Sequence, residues 1–243
     1  MGYREQVAEG PLGRWMECAW WLETASPVRG YAVRPDGCVD IVFQGGIGLQ
    51  VVGAMTRERR HDFAAGSRTC GIRFHPGMAG TFLGAAPAEF TDRTVALADV
   101  WGRPARQLEE RMAGAPSMDD CVRLLRGAFP PPERPPDSVQ RAIEAMVAAH
   151  GGVDVDWAAS QAGLSARQFR RRCLEEGGLA PKHLCRVLRF RRACALAGGG
   201  VDWAGVAALA GYFDQAHLIR DFHEFTGATP VAVFSKTPAA AMG

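Results

Sequence analysis

Residues 201–230 read VDWAGVAALAGYFDQAHLIRDFHEFTGATP. An apolar segment from Trp203 to Ala210 runs up to Gly211, and a second helical run extends from Asp214 to Phe225. Gly211 falls where a tight turn needs a residue that tolerates positive φ. Asp214 is placed to cap the second helix, because its carboxylate can accept from the free N–H groups of the first turn. Leu218, Phe222 and Phe225 then recur at i, i+4 and i+7 as one buried stripe, leaving Gln215, His217, Arg220 and His223 on the other face. Two short helices joined at a glycine, the second with a hydrogen-bonding outer face, predict a helix-turn-helix whose second helix enters a DNA major groove.

The unit occurs twice. Asp156, Trp157, Gly163, Ser165, Phe169, Gly178 and Pro181 are matched by Asp202, Trp203, Gly211, Asp214, Leu218, Gly227 and Pro230, with an offset of 46 residues at the tryptophans growing to 49 at the prolines. A unit repeated near this period makes two equivalent surfaces within one chain. Between them Pro181 opens a long helix to about Ala197, with Leu184, Val187, Leu188 and Arg191 at the spacing of a connecting spine, and Gly198-Gly199-Gly200 is expected to stop it. Val139 to Ala149 forms a preceding helix with Val139, Ile143, Met146 and Val147 inward, ended by Gly151-Gly152. Pro230 starts a last short helix to Phe234, and the tail from Thr237 is expected to be disordered.

These residues carry a resemblance. Gly211-Tyr212-Phe213-Asp214-Gln215-Ala216-His217-Leu218, followed by Arg220, Phe222, Gly227 and Pro230, resembles the signature of AraC/XylS-type transcription regulators over roughly residues 138–234. Aligned to the family motif, Arg167, Arg170 and Arg171 fall at base-reading positions of the first recognition helix, and Gln215, Ala216 and Arg220 at those of the second. His217 matches a phosphate-contacting position, Lys182 is expected to touch phosphate, and Arg172 a phosphate or an intramolecular partner. Arginine suits base reading because its planar fork can bond O6 and N7 of guanine together.

The nine basic residues between Arg167 and Arg192 face only Glu175 and Glu176, a phosphate-binding footprint if they are solvent-facing. The whole chain is nearly neutral, with a formal net charge of +2, so this local excess carries the signal. With 243 residues, 47% apolar and 22% charged, the chain has room for two ordinary globular domains. No run approaches a membrane span and no leader pattern opens the sequence, which predicts a cytoplasmic protein without a membrane partner.

Phe129-Pro130-Pro131-Pro132-Glu133-Arg134-Pro135-Pro136 marks the boundary. So many prolines favour an extended, semi-rigid spacer that holds two domains with their own cores apart. The expected division is 1–129, a 130–136 linker, and 137–243. The first part reads as β-rich, with strands at Cys18 to Glu23, Gly30 to Arg34, Cys38 to Phe43, Leu49 to Val52 and Thr69 to Phe74, punctuated by glycine turns, and His75-Pro76-Gly77 leading into a short helix through Leu83. Trp101, Ala105, Leu108 and Met112 then give one helical edge. Ser117 caps a second helix whose apolar face is Val122, Leu124, Leu125 and Phe129. These two helices are expected to pack on the strands or on a twin subunit. The predicted class is α+β: a barrel or sandwich-like first domain with following helices, and an all-α second domain with two helix-turn-helix units joined by a long helix.

Pro35-Asp36-Gly37-Cys38-Val39-Asp40 and Gly71-Ile72-Arg73-Phe74-His75-Pro76-Gly77 also resemble an N-terminal sensor-like domain found ahead of AraC-type DNA-binding domains. Asp40, Arg73 and His75 are the polar residues lying in or beside otherwise apolar strands. A buried Arg73 must be paired, with Asp40 the nearest candidate by pattern, and an internal ion pair competes with an effector contact as its role. His61 and His75 have no third ligand in view and the seven scattered cysteines form no CxxC pair, so neither a metal nor a disulfide framework is expected. No cofactor and no catalytic residue is expected: GxSxG, HExxH and a phosphate-binding glycine loop are absent.

The leading reading is a sequence-specific regulator of transcription responding to a small-molecule effector. Its candidate partners are double-stranded promoter DNA, the effector, RNA polymerase and a second copy of the chain. Two alternatives stand beside it, a DNA-binding module fused to an enzymatic domain and an architectural DNA binder without effector. The first would resemble DNA-repair regulators with AraC-type helices, whose zinc-binding cysteine cluster and Pro-Cys-His-Arg acceptor segment do not occur here.

Overall fold

Alternation of apolar and polar residues marks the central strands of the first half, and the change to helical spacing after Asp99 ends them. In the computed structural model, which describes residues 2–197 and 202–235, the strands are β1 (Gly2–Val7), β2 (Met16–Glu23), β3 (Val28–Val33), β4 (Val39–Gln44), β5 (Gly48–Val52), β6 (Arg59–Phe63), β7 (Arg68–Phe74) and β8 (Thr94–Ala96). They form a six-stranded antiparallel sheet in the order β1-β2-β7-β4-β5-β8 and a two-stranded β3-β6 ribbon. In β4 and β7 the register sets Asp40 opposite Arg73, Val42 opposite Gly71 and Gln44 opposite Thr69. Because side chains alternate across a strand, these share one face, while Ile41, Phe43, Ile72 and Phe74 are buried on the other.

On that second face lie the helices that follow α1 (Gly80–Leu83): α2 (Leu97–Trp101), α3 (Arg103–Ala113) and α4 (Met118–Gly127). Helix α3 lies against β5 and α4 against β2 and β7. They bury Ala105, Leu108 and Met112 from α3 and Met118, Cys121, Val122 and Leu125 from α4, so their apolar stripes are taken up within the chain. The periodic segment starting at Trp101 is broken at Gly102, whose φ of 64° and ψ of −127° separate α2 from α3.

The second half is helical throughout: α5 (Ser138–Ala148), α6 (Val155–Gln161), α7 (Ala166–Gly177), α8 (Pro181–Leu196), α9 (Trp203–Leu209), α10 (Gln215–Thr226) and α11 (Pro230–Ser235). Gly163 and Gly211, the two turn glycines of the repeated unit, both have positive φ, 69° and 80°. The triple glycine expected to stop α8 and the tail expected to be disordered lie outside the described residues. Among the described residues no helix is long and apolar enough to cross a membrane.

The expectation of two separate cores is overturned. Phe74, Met78 and Phe129 from before the prolines and Val139, Ile143 and Met146 from after them belong to one continuous buried cluster. Gln140 Nε2 donates to the carbonyl of Gly77 (3.2 Å) and to Thr81 Oγ1 (2.9 Å). Thr91 Oγ1 donates to the Gly178 carbonyl at 2.7 Å, and the Glu58 N–H to the Phe225 carbonyl at 2.6 Å. A short proline segment limits how far the halves can separate, so docking them costs little closure entropy. Composition alone reads such a segment as a spacer because it does not reveal the apolar surface waiting on both sides.

Candidate nucleic-acid interface and ligand cavity

Helix α7 begins where Ser165 accepts from the Gln168 N–H, and α10 where Asp214 accepts from the His217 N–H at 2.6 Å. Phe169 and Cys173 turn α7 inward, and Leu218, Phe222 and Phe225 do the same for α10. The opposite faces are open to solvent: Arg167, Arg170 and Arg171 on α7, and Gln215, Ala216 and Arg220 on α10, are all exposed, as is Lys182 in the first turn of α8. His217 is half-buried, edge-on to Tyr212 with centroids 5.1 Å apart.

Cations in this region fall into two sets. Arg172 binds Glu176 and Asp137, Arg186 binds Asp221 and Glu224, and Arg191 binds Glu17 of the first half. Arg189 donates to the Gly151 carbonyl and Arg192 to that of Leu209. These five hold the fold together. Arg167, Arg170, Lys182 and Arg220 have neither hydrogen bond nor ion pair among the described residues. Arg171 has only an exposed contact to Glu175 at 3.5 Å, an arrangement worth little in water. Only part of the basic window is therefore open to an outside partner, and its second half is internal.

On the Asp40 face of the sheet, opposite the helices, a cavity of about 350 Å³ opens between the sheet, the β3-β6 ribbon and α8. Tyr3, Trp20, Tyr31 and Phe63 supply aromatic walls, and Phe190, Arg191, Cys194 and Ala195 of α8 close one side. The Trp20 indole lies flat against Gly71, where an added Cβ would stand 2.6 Å from the ring. At one end Trp20 Nε1 donates to Asp40 Oδ1 at 2.9 Å, and Arg73 Nε stands 3.3 Å from Asp40 and 3.4 Å from Asp36. Burial pushes the Asp40 carboxyl up to about 6 even with Arg73 alongside, and the neighbouring Asp36 adds to the rise. Further along the same strand face the Thr69 hydroxyl is buried with no hydrogen-bond partner among the described residues. The cysteines are unpaired thiols, and burial pushes Cys18, Cys70, Cys173 and Cys194 up to about 12, which keeps them protonated near neutrality.

Residues 5–96 match the family model of a domain of unknown function, DUF6597, and residues 158–236 match that of a helix-turn-helix domain. Residues 158–236 form an AraC-type helix-turn-helix domain. The chain is a DNA-binding transcription regulator. No curated protein matches its sequence. Among solved structures, the DNA-binding domain of AdpA, a global transcriptional factor in complex with a target DNA, is similar at 24% identity, covering 41% of this chain and 92% of its own, with a TM-score of 0.39. ToxT from Vibrio cholerae is similar at 8% identity over 97% of this chain and 98% of that one, TM-score 0.43. The transcriptional regulator CdpR from Pseudomonas aeruginosa is similar at 19% identity over 81% of this chain and 57% of that one, TM-score 0.35.

In this regulator the residues singled out from the sequence divide sharply. Arg167, Arg170, Arg171, Gln215, Ala216 and Arg220 lie on the outer faces of α7 and α10, the second helices of their units. Asp40 and Arg73 are paired, as their pattern predicts, and both line the cavity. His75 does not join them: its Nε2 faces the Gly13 carbonyl at 3.2 Å, and it is not among the cavity residues. As the residue just past the end of β7, it is free of that strand's alternation, which is why reading it with Arg73 misplaces it. His61, considered only as a metal ligand, lines the cavity, and burial beside Arg59 holds its pKa down. Trp20, Tyr3, Tyr31, Thr69, Gln44 and Gln50 also line it. Period-two spacing of Asp40, Val42 and Gln44 is the signal that could have found this face.

Proposed function

We propose that this regulator lays α7 and α10 into two successive major grooves on one face of a promoter. Arg167, Arg170, Arg171, Gln215, Ala216 and Arg220 meet base edges, and Lys182 and His217 meet phosphates. The observation that carries this reading is the partition of the cations. Side chains on the outer faces of the two helices are exposed and uncommitted, whereas neighbouring arginines that could have served equally well are tied to internal carboxylates. Two readers joined by one helix would engage grooves about one turn apart, roughly 34 Å, so the site is asymmetric and its parts are read in a fixed order. RNA polymerase and a second copy of the chain are the protein partners this role implies, and its work is binding rather than catalysis.

Control by a small molecule is the second part of the proposal. The cavity is bounded by α8, the helix between the two units, and Arg191 on that helix is held by Glu17 on β2. A molecule lodged there touches the element that spaces the two readers. The test is selection of bound DNA from a random pool with the full chain, followed by a salt titration on the selected sequence. A defined bipartite site, with affinity falling steeply as salt rises because phosphate-bound counterions are released, is the expected result. No enriched sequence, or an affinity independent of salt, would overturn it.

A further inference from the structure

Resting on the reading of the cavity as the effector site, we propose that its ligand is a small organic cation, an ammonium ion carried on an aromatic or apolar body. Charge and shape at the site both point there. At the Asp36 and Asp40 end two carboxylates share one guanidinium, Arg73, while Arg191 is held by Glu17, and Arg34 and Arg60 both meet Glu58. By its own contacts the Asp36–Asp40 pair therefore keeps one surplus negative charge beside Arg73, in a place largely closed to water. His61, on the ribbon side, is held towards its neutral form and does not supply the missing charge.

Beside that surplus stand faces that attract cations. Trp20 and Tyr3 stack with centroids 6.3 Å apart, and Tyr31 meets Phe63 edge-on at 5.9 Å across the cavity wall formed by the ribbon. Negative ring faces next to an under-compensated carboxylate bind an organic ammonium in two ways at once, through the π-systems and through the charge. An anionic ligand would meet the opposite situation. Arg73 is already divided between two carboxylates and Arg191 is held by Glu17, so an anion would add to the uncompensated charge of the Asp36–Asp40 pair. A bare metal ion is disfavoured by the aromatic lining and by the absence, among the described residues, of any group of three metal-ligating side chains.

The far end adds a second, independent mark. Thr69 is 3% exposed and its hydroxyl has no partner among the described residues. It lies on the Arg73 face of β7, with Gln44 opposite it across the ladder. An unsatisfied buried hydroxyl costs stability unless something meets it, so a polar atom at the distal end of the ligand body belongs there. The ligand is thus bipolar: its ammonium sits at Asp40, its body on Trp20 and Tyr31, and a hydrogen-bonding group at Thr69.

Calorimetric titration of the full chain with phenethylammonium, hydrocinnamate and phenethyl alcohol tests the charge preference on one shared body. The ammonium is expected to bind at least about tenfold more tightly than the acid or the alcohol, the scale of one partly desolvated charge contact. Asp40→Asn is expected to remove that preference while leaving binding of the alcohol unchanged. A thermal melt of the variant shows whether it is folded, and Asp36→Asn serves as a second variant at the same end of the cavity. Equal or tighter binding of hydrocinnamate, loss of all ammonium binding in the native chain, or an undiminished preference in both folded variants overturns the proposal. Measuring DNA affinity with each probe separates this from the regulatory reading. Hydrocinnamate shifting DNA affinity would leave ligand control standing and the cation class wrong, whereas tight ammonium binding without any shift would do the reverse.

Discussion

Arg170 and Arg172 stand two positions apart on α7 and differ in everything but their side chain. Arg172 is locked between Glu176 and Asp137, whereas Arg170 reaches solvent. Replacing Arg170 or Arg220 with alanine is expected to cost about 1–3 kcal/mol on the selected site and to relax preference at one base, while Lys182→Ala weakens all sequences alike. Competition binding against single-base variants of the site distinguishes these, and equal losses on specific and random DNA for all three would contradict the roles. The motif made the positions legible, but it did not tell which arginines are internal, since their partners Asp137, Asp221 and Glu17 lie far off in sequence. Asp40 offers a test of the other half. Its carboxyl is raised in the folded state, so the fold binds its proton more tightly than the unfolded chain does. Its contribution to stability is full below the ordinary carboxyl range and is lost as pH rises through about 6. Asp40→Asn should therefore stabilise the protein by on the order of 1–3 kcal/mol near pH 8 and by almost nothing near pH 4. Chemical denaturation at the two pH values checks it, and a variant less stable at pH 8 than the native chain would refute the surplus-charge account.

The same logic of partners decides how the elements are held. Helix α10 is fixed against α8 by Asp221, 2% exposed, whose Oδ1 accepts from Arg186 Nε at 3.1 Å and Nη2 at 2.7 Å. Breaking one side of a buried ion pair leaves the other charge uncompensated, so Asp221→Ala should cost about 3 kcal/mol. In protein that still folds it should weaken binding to every sequence, because the second reader loses its angle while its base-contacting side chains are intact. Denaturant midpoints and binding to the selected DNA report the two effects, and an unchanged midpoint would show that α10 is held by its aromatic stripe alone. Helices α5 to α10 could be read in advance because each carries its own signals, a capping side chain at the start (a first-turn proline, Pro181, in α8), a buried stripe and a glycine beyond the end. Strands β1, β6 and β8 could not. GYREQV and RRHDF lack apolar alternation, since one is an edge strand and the other half of an exposed ribbon, and strand identity there comes from the partner. The cavity was hidden for the same reason, as Tyr3, Tyr31 and Phe63 of its aromatic lining sit on β1 and on the ribbon.

Across the whole molecule, the halves mesh at backbone level. A Cβ added at Gly77 would stand 2.8 Å from Ile143 of α5, and one at Gly37 would stand 2.9 Å from Leu184 of α8. Apolar side chains of the helical half therefore press directly onto turns of the β-rich half, in a cluster that runs unbroken through Phe129. Neither half can unfold without baring that shared surface, and the loss would destabilise the other at once. A single cooperative transition is expected in scanning calorimetry, with the van't Hoff enthalpy equal to the calorimetric one, although the chain is long enough for two independent domains. A fragment spanning residues 137–243 should melt well below the intact chain and expose Ile143 and Leu184, read as dye binding to apolar surface. Since the cavity lies within this unit, a cation bound there should move the one transition as a whole, by an amount growing with the logarithm of its concentration. Two resolved transitions, with ligand shifting only the first, would mean that the interface opens before either half melts, and the link from cavity to readers would then have to run through opening of the joint instead of through α8.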